Sequence, residues 1–270
     1  MLIKDWLSFN TQKLQRASVE SASLDAQLLL SDLLNKDRSW ILAHPEYKLN
    51  DNIISILSEK INRRQNHEPI AYIRGLQEFY GRDFVVSPDT LTPRPETETI
   101  VELGVEYIAS EKIQSVADIG TGSGCIIISL ALESNYEILY TGYDVSLQAL
   151  RIAQKNAKTL GATATFEQDD ITKKGKHSWQ KAEMIVANLP YVPTDFHINL
   201  AATHEPESAI FGGEDGLDYY RALFDGLTEN TKYVITESLP PQHNNLAKIA
   251  YDAGFKLMET KDFVQLFKLI

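Results

Sequence analysis

From residue 115 onward, short apolar segments alternate with longer helical ones, and this alternation constrains the fold more than any other feature of the chain. Repeated strand–helix–strand units place helices on both faces of a sheet. The alternation therefore predicts an α/β domain with a mostly parallel, doubly wound sheet and an antiparallel terminal strand. The expected strands are 115–119, 138–143, 164–168, 184–187, 233–237, 255–260 and 263–269, with helices at 125–133 and 147–160.

The first 75 residues follow a different pattern, because their apolar residues have helical spacing and show no strand-like alternation. One helical face carries Leu28, Leu29, Leu33 and Leu34, and another carries Ile53, Ile54, Leu57 and Ile61. After them, 79–86 is typical of a β-hairpin with Gly81 near its turn. The sequence thus predicts a small helical bundle in 1–75, a β-hairpin linker in 76–95 and the α/β domain in 96–270. The bundle is either a structural cap or a docking surface for a macromolecular substrate, and we favour docking, since an enzyme acting on small molecules does not need it.

A glycine-rich loop, Asp118-Ile119-Gly120-Thr121-Gly122-Ser123-Gly124, follows the first predicted strand and opens a helix. Glycines at such a turn let the backbone approach a ligand closely and let the strand turn sharply into the helix. The spacing is Gly-x-Gly-x-Gly and differs from the Gly-x-Gly-x-x-Gly of dinucleotide-binding folds. Three alternate glycines favour a binding loop over an ordinary turn.

Two acidic positions at the ends of the next strands complete a candidate nucleoside pocket. Asp144 lies twenty residues beyond Gly124, where a carboxylate can accept hydrogen bonds from both hydroxyls of a ribose. After the third strand, Asp170 and Ile171 can frame an adenine ring with one polar and one apolar side chain. NAD and S-adenosylmethionine are both candidates for this pocket. Asp118 favours S-adenosylmethionine, because a carboxylate suits a sulfonium better than a pyrophosphate.

The segment Asn188-Leu189-Pro190-Tyr191 follows the apolar strand 184–187 and indicates the reaction. An amide or adenine NH₂ is a poor nucleophile because its lone pair is delocalised. The Asn188 side-chain oxygen and the backbone oxygen of Leu189 or Pro190 can accept its two hydrogens and orient it. Tyr191 can lie against the planar group and near a sulfonium. These residues predict transfer of a methyl group to a planar nitrogen, in glutamine or in adenine alike.

Charge and residue usage limit the alternatives. Residues 1–75 carry ten Lys and Arg against nine Asp and Glu, whereas the remainder carries sixteen against twenty-eight. An acidic catalytic part repels a polyphosphate backbone, so a nucleic-acid substrate is not expected. The single cysteine, Cys125, the amino-terminal sequence and the short apolar runs predict a cytoplasmic protein without a signal peptide or membrane span. The histidines lack metal-ligand spacing, so no metal is expected, and nothing demands more than a monomer.

Several further motifs share one resemblance. They are Glu68-Pro69-Ile70-Ala71-Tyr72-Ile73 with Gly75, Phe79-Tyr80-Gly81, Leu91-Thr92-Pro93-Arg94-Pro95-Glu96-Thr97-Glu98, His204-Glu205-Pro206 and Gly216-Leu217-Asp218. Together with the glycine loop, Asp144 and the Asn-x-Pro-Tyr segment, they make nearly the whole chain similar to the peptide chain release factor glutamine methyltransferases of the HemK/PrmC type. The run from Arg94 to Glu98 and the helical front part make the resemblance specific to this family.

The resemblance implies a helical amino-terminal bundle, a β-hairpin link and a Rossmann-like class I methyltransferase domain. It implies that the substrate is the glutamine of the Gly-Gly-Gln motif in bacterial release factors 1 and 2. Residues Gly120 to Gly124, Asp144 and Ile171 would contact S-adenosylmethionine, 188–191 would hold the glutamine amide, and the bundle would dock the release factor. The product of the cofactor would be S-adenosylhomocysteine.

The chain also departs from the family pattern. Leu189 replaces a proline that is more common there, and Asn-Leu-Pro-Tyr also resembles the loop of adenine-N6 rRNA dimethylases. An adenine-N6 methyltransferase acting on nucleic acid is therefore the alternative. The segments 237–242 and 262–266 also differ from the usual Glu-x-Gly and Gly-x-x-Arg. We expect these differences to affect the rim of the substrate pocket and to leave the cofactor site unchanged.

Overall fold

The computed structural model describes residues 1–134 and 137–270, and these fall into two compact units. Unit 1 comprises Met1–Gly75 with Ile198–His204, and unit 2 comprises Leu76–His197 with Glu205–Ile270. Each unit has its own buried core.

Unit 1 is built from five helices that share one apolar core. They are α1 (Ile3–Arg16), α2 (Ala22–Leu34), α3 (Arg38–Ala43), α4 (Asp51–Gln65) and α5 (Ile70–Arg74). Trp6, Leu29 and Leu57 are almost fully buried in this core. An ion pair joins Arg64 on α4 to the buried Asp25 on α2, which fixes these two helices beside each other.

Unit 2 begins with a β-hairpin formed by β1 (Leu76–Phe79) and β2 (Arg82–Val85). Tyr80 and Gly81 occupy its two turn positions, both with positive φ, as a tight hairpin turn requires. Phe79 and Phe84 are buried and pack edge to face in the main core of unit 2. The hairpin is therefore an integral part of this unit's core.

The rest of unit 2 alternates helices and strands around one sheet. The elements are α6 (Glu98–Glu111), β3 (Ser115–Ile119), α7 (Cys125–Glu133), β4 (Leu139–Asp144), α8 (Leu147–Leu160), β5 (Thr165–Gln168), β6 (Met184–Ala187), α9 (Asp218–Gly226), β7 (Tyr233–Glu237), α10 (His243–Asp252), β8 (Phe255–Lys261) and β9 (Val264–Leu269). Helices α6, α9 and α10 were not among the expected elements. The predicted α/β class is confirmed.

The seven-stranded sheet has the order β5-β4-β3-β6-β7-β9-β8. The pairings from β5 to β7 are parallel, whereas β9 runs antiparallel to both β7 and β8. From β3 the chain proceeds outward to β4 and β5, and it then returns to place β6 on the other side of β3. A ligand-binding crevice forms at such a switch point, at the carboxyl ends of the strands. No helix in the described part of the chain is long and apolar enough to cross a membrane.

Candidate active site

The glycine-rich loop and the Asn-Leu-Pro-Tyr segment leave the sheet side by side. Ile119 at the end of β3 is paired with Ala187 at the end of β6, so the two loops begin at the same level of the sheet. Gly120 has a positive φ, and an added Cβ there would lie 3.2 Å from Cδ2 of Leu189. Gly124 also has a positive φ, and a Cβ there would press against the backbone and side chain of Ala153 on α8. The positive φ favours glycine at both positions, and at Gly124 the close packing on α8 does so as well.

Asp144 at the end of β4 is tied to the glycine loop. Its Oδ2 accepts a hydrogen bond from the Gly122 amide at 2.9 Å, and its Oδ1 accepts one from the Ser146 amide at 2.8 Å. Burial raises the pKa of this carboxyl, and the two amide bonds oppose that rise. Each carboxylate oxygen keeps a second lone pair for a ligand, since an ionised carboxyl group accepts about four hydrogen bonds.

Asp118 is placed differently from the other predicted site residues. Its side chain is fully buried, its Oδ2 accepts a hydrogen bond from the Thr121 hydroxyl at 2.7 Å, and it does not line the cavity. Burial raises the pKa of Asp118 to about 7, and the nearby charge of Asp144 adds to the rise. Successive residues of a strand point to opposite faces, so Ile119 lines the cavity and Asp118 lies beneath the loop.

One cavity collects most of the predicted site residues within unit 2. Those that line it are Gly120, Thr121, Gly122, Ser123, Asp144, Asp170, Ile171, Asn188, Leu189 and Pro190, whereas Asp118, Gly124 and Tyr191 do not. The sequence analysis missed further lining residues, including Thr90, Thr97, Val145 and Tyr219. Thr97 belongs to the Arg94–Glu98 motif, so the sequence drew attention to this position. The sequence could not show that Thr97 contacts Asn188.

Asp170 and Ile171 present one polar and one apolar side chain to this cavity. The Asp170 carboxylate accepts hydrogen bonds from the hydroxyl and the amide of Thr172, and the hydroxyl bond in particular lowers its pKa. The loop after them is held by His177, whose Nδ1 is 2.7 Å from the Asp169 carboxylate. These contacts hold the part of the cavity wall that carries Asp170 and Ile171.

The Asn-Leu-Pro-Tyr segment is fixed by side chains from distant parts of the chain. The Asn188 side-chain NH₂ donates to the Thr97 hydroxyl at 3.0 Å, and the Tyr191 hydroxyl donates to Glu237 at 2.9 Å. The Leu189 amide, which a proline would lack, donates to the Tyr220 hydroxyl at 3.3 Å. Burial and the Glu237 carboxylate raise the pKa of Tyr191 well above its usual value, so Tyr191 stays a neutral donor.

The atypical segment after β7 supports the same loop from below. Gln242 is almost fully buried, and its Nε2 donates to the backbone oxygens of Tyr191 and Asp215, both at 2.8 Å. A Cβ on Gly216 would lie 2.1 Å from the Tyr191 oxygen, so this glycine packs directly on the loop. Gly216 of the family motif and the atypical Gln242 therefore both pack against the backbone of Tyr191 in the Asn-Leu-Pro-Tyr loop.

The residues that line this cavity fit a nucleoside. Asp144 offers carboxylate lone pairs suited to ribose hydroxyls, and Ile119 and Ile171 offer apolar surface suited to a ring. Within residues 1–134 and 137–270, no group of three or more His, Cys, Asp and Glu side chains is arranged to hold a metal ion. A glycine loop and an acidic strand end at the switch point of such a sheet indicate a Rossmann-like domain, and the Asn-Leu-Pro-Tyr loop beside them indicates a methyltransferase.

Comparison with known proteins agrees with this class and narrows it. The PrmC N-terminal domain family matches residues 5–75, and a methyltransferase domain family matches 110–236. A release factor glutamine methyltransferase of Koribacter versatilis is 40% identical over 235 residues, which cover 86% of this chain and 83% of that protein. Another from Clostridium acetobutylicum is 34% identical and covers 100% of this chain and 98% of its own length. The chain belongs to the release factor glutamine methyltransferase family.

Among solved structures, the catalytic domain of hMettl16 in complex with the MAT2A 3′UTR hairpin 6 shares the fold. The TM-score is 0.53 at 12% identity, and the match covers 82% of each chain. At this identity the likeness concerns the fold alone.

Proposed function

We propose that this protein transfers a methyl group from S-adenosylmethionine to the side-chain amide nitrogen of the glutamine in the Gly-Gly-Gln motif of release factors 1 and 2. The observation that carries the proposal is the orientation of Asn188. Its NH₂ group is bonded to Thr97, so its Oδ1 is the free end of the amide at the cavity wall. An oxygen in this place accepts a hydrogen bond from a substrate NH₂.

A primary amide needs two acceptors to be held, because it has two N–H bonds. The Asn188 Oδ1 is one, and the backbone oxygen of Leu189 or Pro190 is the other. Tyr191 supports the loop through its hydroxyl, and its ring packs partly into the core beneath it. Orientation of this kind removes a large part of the entropic barrier to reaction, roughly 7–11 kcal/mol in ideal models.

The cofactor supplies an electrophilic methyl group on a sulfonium when it is bound. Asp144 would hold the ribose hydroxyls, and the backbone of 120–124 would lie against the amino acid part. Asp170 and Ile171 would hold the adenine ring. Asp118 would act from beneath by holding Thr121 and contributing negative potential to the cationic cofactor, since it is buried and does not line the cavity.

We propose 1–75 as the part that docks the release factor, 76–95 as the connecting segment, and a monomer as the active form.

A release factor methylation assay tests the proposal. Purified release factor is incubated with the protein and S-adenosylmethionine, and the Gly-Gly-Gln peptide is analysed by mass spectrometry. We expect one added methyl group on the glutamine, and we expect Asn188→Ala to abolish the transfer while cofactor binding persists. The exposed Asn230 provides a matched control, because Asn230→Ala lies outside the cavity and should leave the transfer unchanged. An unmodified peptide in the presence of folded, cofactor-binding protein would disprove the proposal.

A further inference from the structure

Two buried residues, Thr97 and Glu237, are linked by hydrogen bonds to the side chains of Asn188 and Tyr191. Thr97 and Glu237 are each about 98–99% buried, and they come from segments far apart in the sequence. The Asn188 NH₂ donates to the Thr97 hydroxyl at 3.0 Å, and the Tyr191 hydroxyl donates to Oε1 of Glu237 at 2.9 Å. Burial raises the pKa of the Glu237 carboxyl, whereas the Thr97 hydroxyl and the Asn188 amide both lie close enough to lower it.

The structure gives the Asn188 amide one orientation, with its NH₂ toward the Thr97 hydroxyl oxygen. The Thr97 hydroxyl oxygen accepts from the Asn188 NH₂, and its own proton can be donated to the neighbouring carboxyl group of Glu237. The hydroxyl oxygen is then an acceptor toward Asn188, and an acceptor pairs with the NH₂ end of the amide. Oε2 of Glu237 is buried without a hydrogen-bond partner in the described residues, so it is available to receive these donors. The reversed amide would place Oδ1 against Thr97 and the carboxylate.

We propose that Thr97 and Glu237 are positioning residues that fix the Asn188 amide with Oδ1 toward the substrate. The inference rests on the proposed function, in which Asn188 Oδ1 accepts a substrate N–H. It gives a role to Thr97 of the Arg94-Pro95-Glu96-Thr97-Glu98 motif, and to Glu237 at the start of the atypical segment 237–242. Without this pair, the Asn188 amide loses the hydrogen bond that holds its NH₂ away from the substrate, and the reversed amide would present an NH₂ to the substrate NH₂.

Arg94 and Glu98 hold the two ends of the Arg94–Glu98 motif in place. Arg94 forms an ion pair with the buried Glu205, and Glu98 accepts a hydrogen bond from the Tyr80 amide at 2.9 Å. The run from Arg94 to Glu98 therefore joins the hairpin turn, the 205 segment and the Asn188 loop. Arg94 and Thr97 both line the cavity, and Thr97 is the member of this run that bonds to Asn188.

Two substitutions at Thr97 separate the role of the hydroxyl from the role of packing. Thr97→Val keeps the shape and removes the hydroxyl, whereas Thr97→Ser keeps the hydroxyl. We expect Thr97→Val to lower kcat for release factor methylation about 100-fold, the loss typical of a misplaced reacting group. Thr97→Ser should retain kcat within about threefold, and both should bind S-adenosylmethionine with wild-type affinity, since the ribose contact is elsewhere. Glu237→Gln should also lower kcat, because its amide can donate to Thr97 and reverse the network.

Thr231 provides the matched control for loss of a buried threonine hydroxyl. It is fully buried, its hydroxyl donates to the Ala182 oxygen at 3.3 Å, and it lies outside the cavity. Thr231→Val should therefore lower the melting temperature about as much as Thr97→Val while leaving kcat unchanged. Equal loss of kcat in both variants would overturn the positioning role, because it would indicate general destabilisation.

A second measurement needs no substrate and keeps the two proposals separable. The Asn188 side-chain amide is assigned in ¹H–¹⁵N spectra as the signal pair that disappears in Asn188→Ala. We expect Thr97→Val to shift this pair and to speed its exchange with water about tenfold or more, as a lost buried hydrogen bond does. Thr231→Val should leave it in place. If the Asn188 signal pair is the same in Thr97→Val as in the wild type, the inference is overturned. If Thr97→Val shifts the pair but the wild-type protein does not methylate release factor, only the proposed function is overturned.

Discussion

The ionisation of Asp118 is controlled by its burial beneath the glycine loop. The folded protein holds this proton up to a pH of about 7, whereas an unfolded chain releases it at about 3.9. The stability that protonation contributes is therefore complete below the unfolded pKa and is lost as the pH rises through the folded pKa. A cationic cofactor favours the ionised form, so its binding should reverse part of this loss.

The first prediction concerns Asp118→Asn, which removes the titration without changing the size of the side chain. We expect the free energy of unfolding of ligand-free wild-type protein to fall, relative to the variant, as the pH rises from about 4 to about 7. The difference can reach roughly 4 kcal/mol, because each pKa unit corresponds to about 1.4 kcal/mol. Urea unfolding of both proteins across this range measures it. Parallel pH profiles for the two proteins would contradict the assignment.

The second prediction concerns Asp144, whose carboxylate accepts two backbone N–H bonds and still has lone pairs for a ribose. Asp144→Asn replaces one acceptor oxygen with a donor that opposes the Gly122 or Ser146 amide. We expect the affinity for S-adenosylmethionine to fall about 10- to 100-fold, since hydrogen bonds to charged groups contribute roughly 1.5–3 kcal/mol. Calorimetric titration measures the change.

Asp252 supplies the control for Asp144, because it is exposed at the end of α10 and outside the cavity. Asp252→Asn makes the same change of charge and should bind the cofactor as the wild type does. If the two variants bind with equal affinity, Asp144 does not hold the ribose.

At the scale of elements, the strand order brings distant loops together. The neighbouring positions of β3, β6 and β7 place the glycine loop, the Asn188 loop and the 237–242 segment side by side. Asn156 on α8 adds a further connection, because its side chain bonds the Val85 backbone of the hairpin and the Ser123 oxygen of the glycine loop. The cavity walls are therefore held by several elements at once.

The third prediction concerns Gln242→Glu in the atypical segment. Gln242 donates two hydrogen bonds from Nε2, to Tyr191 and to Asp215, and a glutamate of the same size cannot donate either when ionised. We expect destabilisation of about 2–3 kcal/mol and a lower kcat, because two partly buried carbonyls lose their donor. Chemical denaturation and the methylation assay measure these effects.

A glutamine on the surface tests whether this effect is specific. Gln168 donates one hydrogen bond to the Val145 oxygen and is exposed, so Gln168→Glu should change stability by about 0.5 kcal/mol or less. Wild-type stability in Gln242→Glu would show that this segment does not support the loop.

Local patterns were sufficient to predict the strands and the position of the cavity. The Gly-x-Gly-x-Gly loop and the Asn-Leu-Pro-Tyr segment each follow a strand, and a parallel sheet brings strand ends to one edge. Thr97 could not be predicted, because it lies 91 residues from Asn188 and only the folded chain pairs them. The sequence pattern also could not predict that the Asp118 side chain points away from the cavity, because this depends on which face of β3 the residue occupies. Helix α6 was not predicted, because it precedes residue 115, where the regular alternation of strands and helices begins.

At the scale of the whole molecule, charge is divided unequally between the two parts of the chain. The first 75 residues are nearly neutral, whereas the remainder carries twenty-eight acidic residues against sixteen basic ones. Nucleic-acid binding depends mainly on phosphate contacts with Lys and Arg, and it weakens steeply as salt is added. A protein substrate does not need such a basic surface, so the charge division favours release factors over RNA or DNA.

The fourth prediction follows from this charge division and tests the alternative that Leu189 raises, an adenine-N6 methyltransferase acting on nucleic acid. We expect fluorescently labelled single- and double-stranded RNA and DNA to bind with dissociation constants weaker than about 10⁻⁴ M at physiological salt, the weak end of non-specific binding. Release factor should be methylated in the same buffer, and equal amounts of RNA or DNA should acquire no N6-methyladenine. Micromolar, salt-dependent binding together with methylated adenine would reverse this conclusion, because Asn188 would then hold the NH₂ of a base.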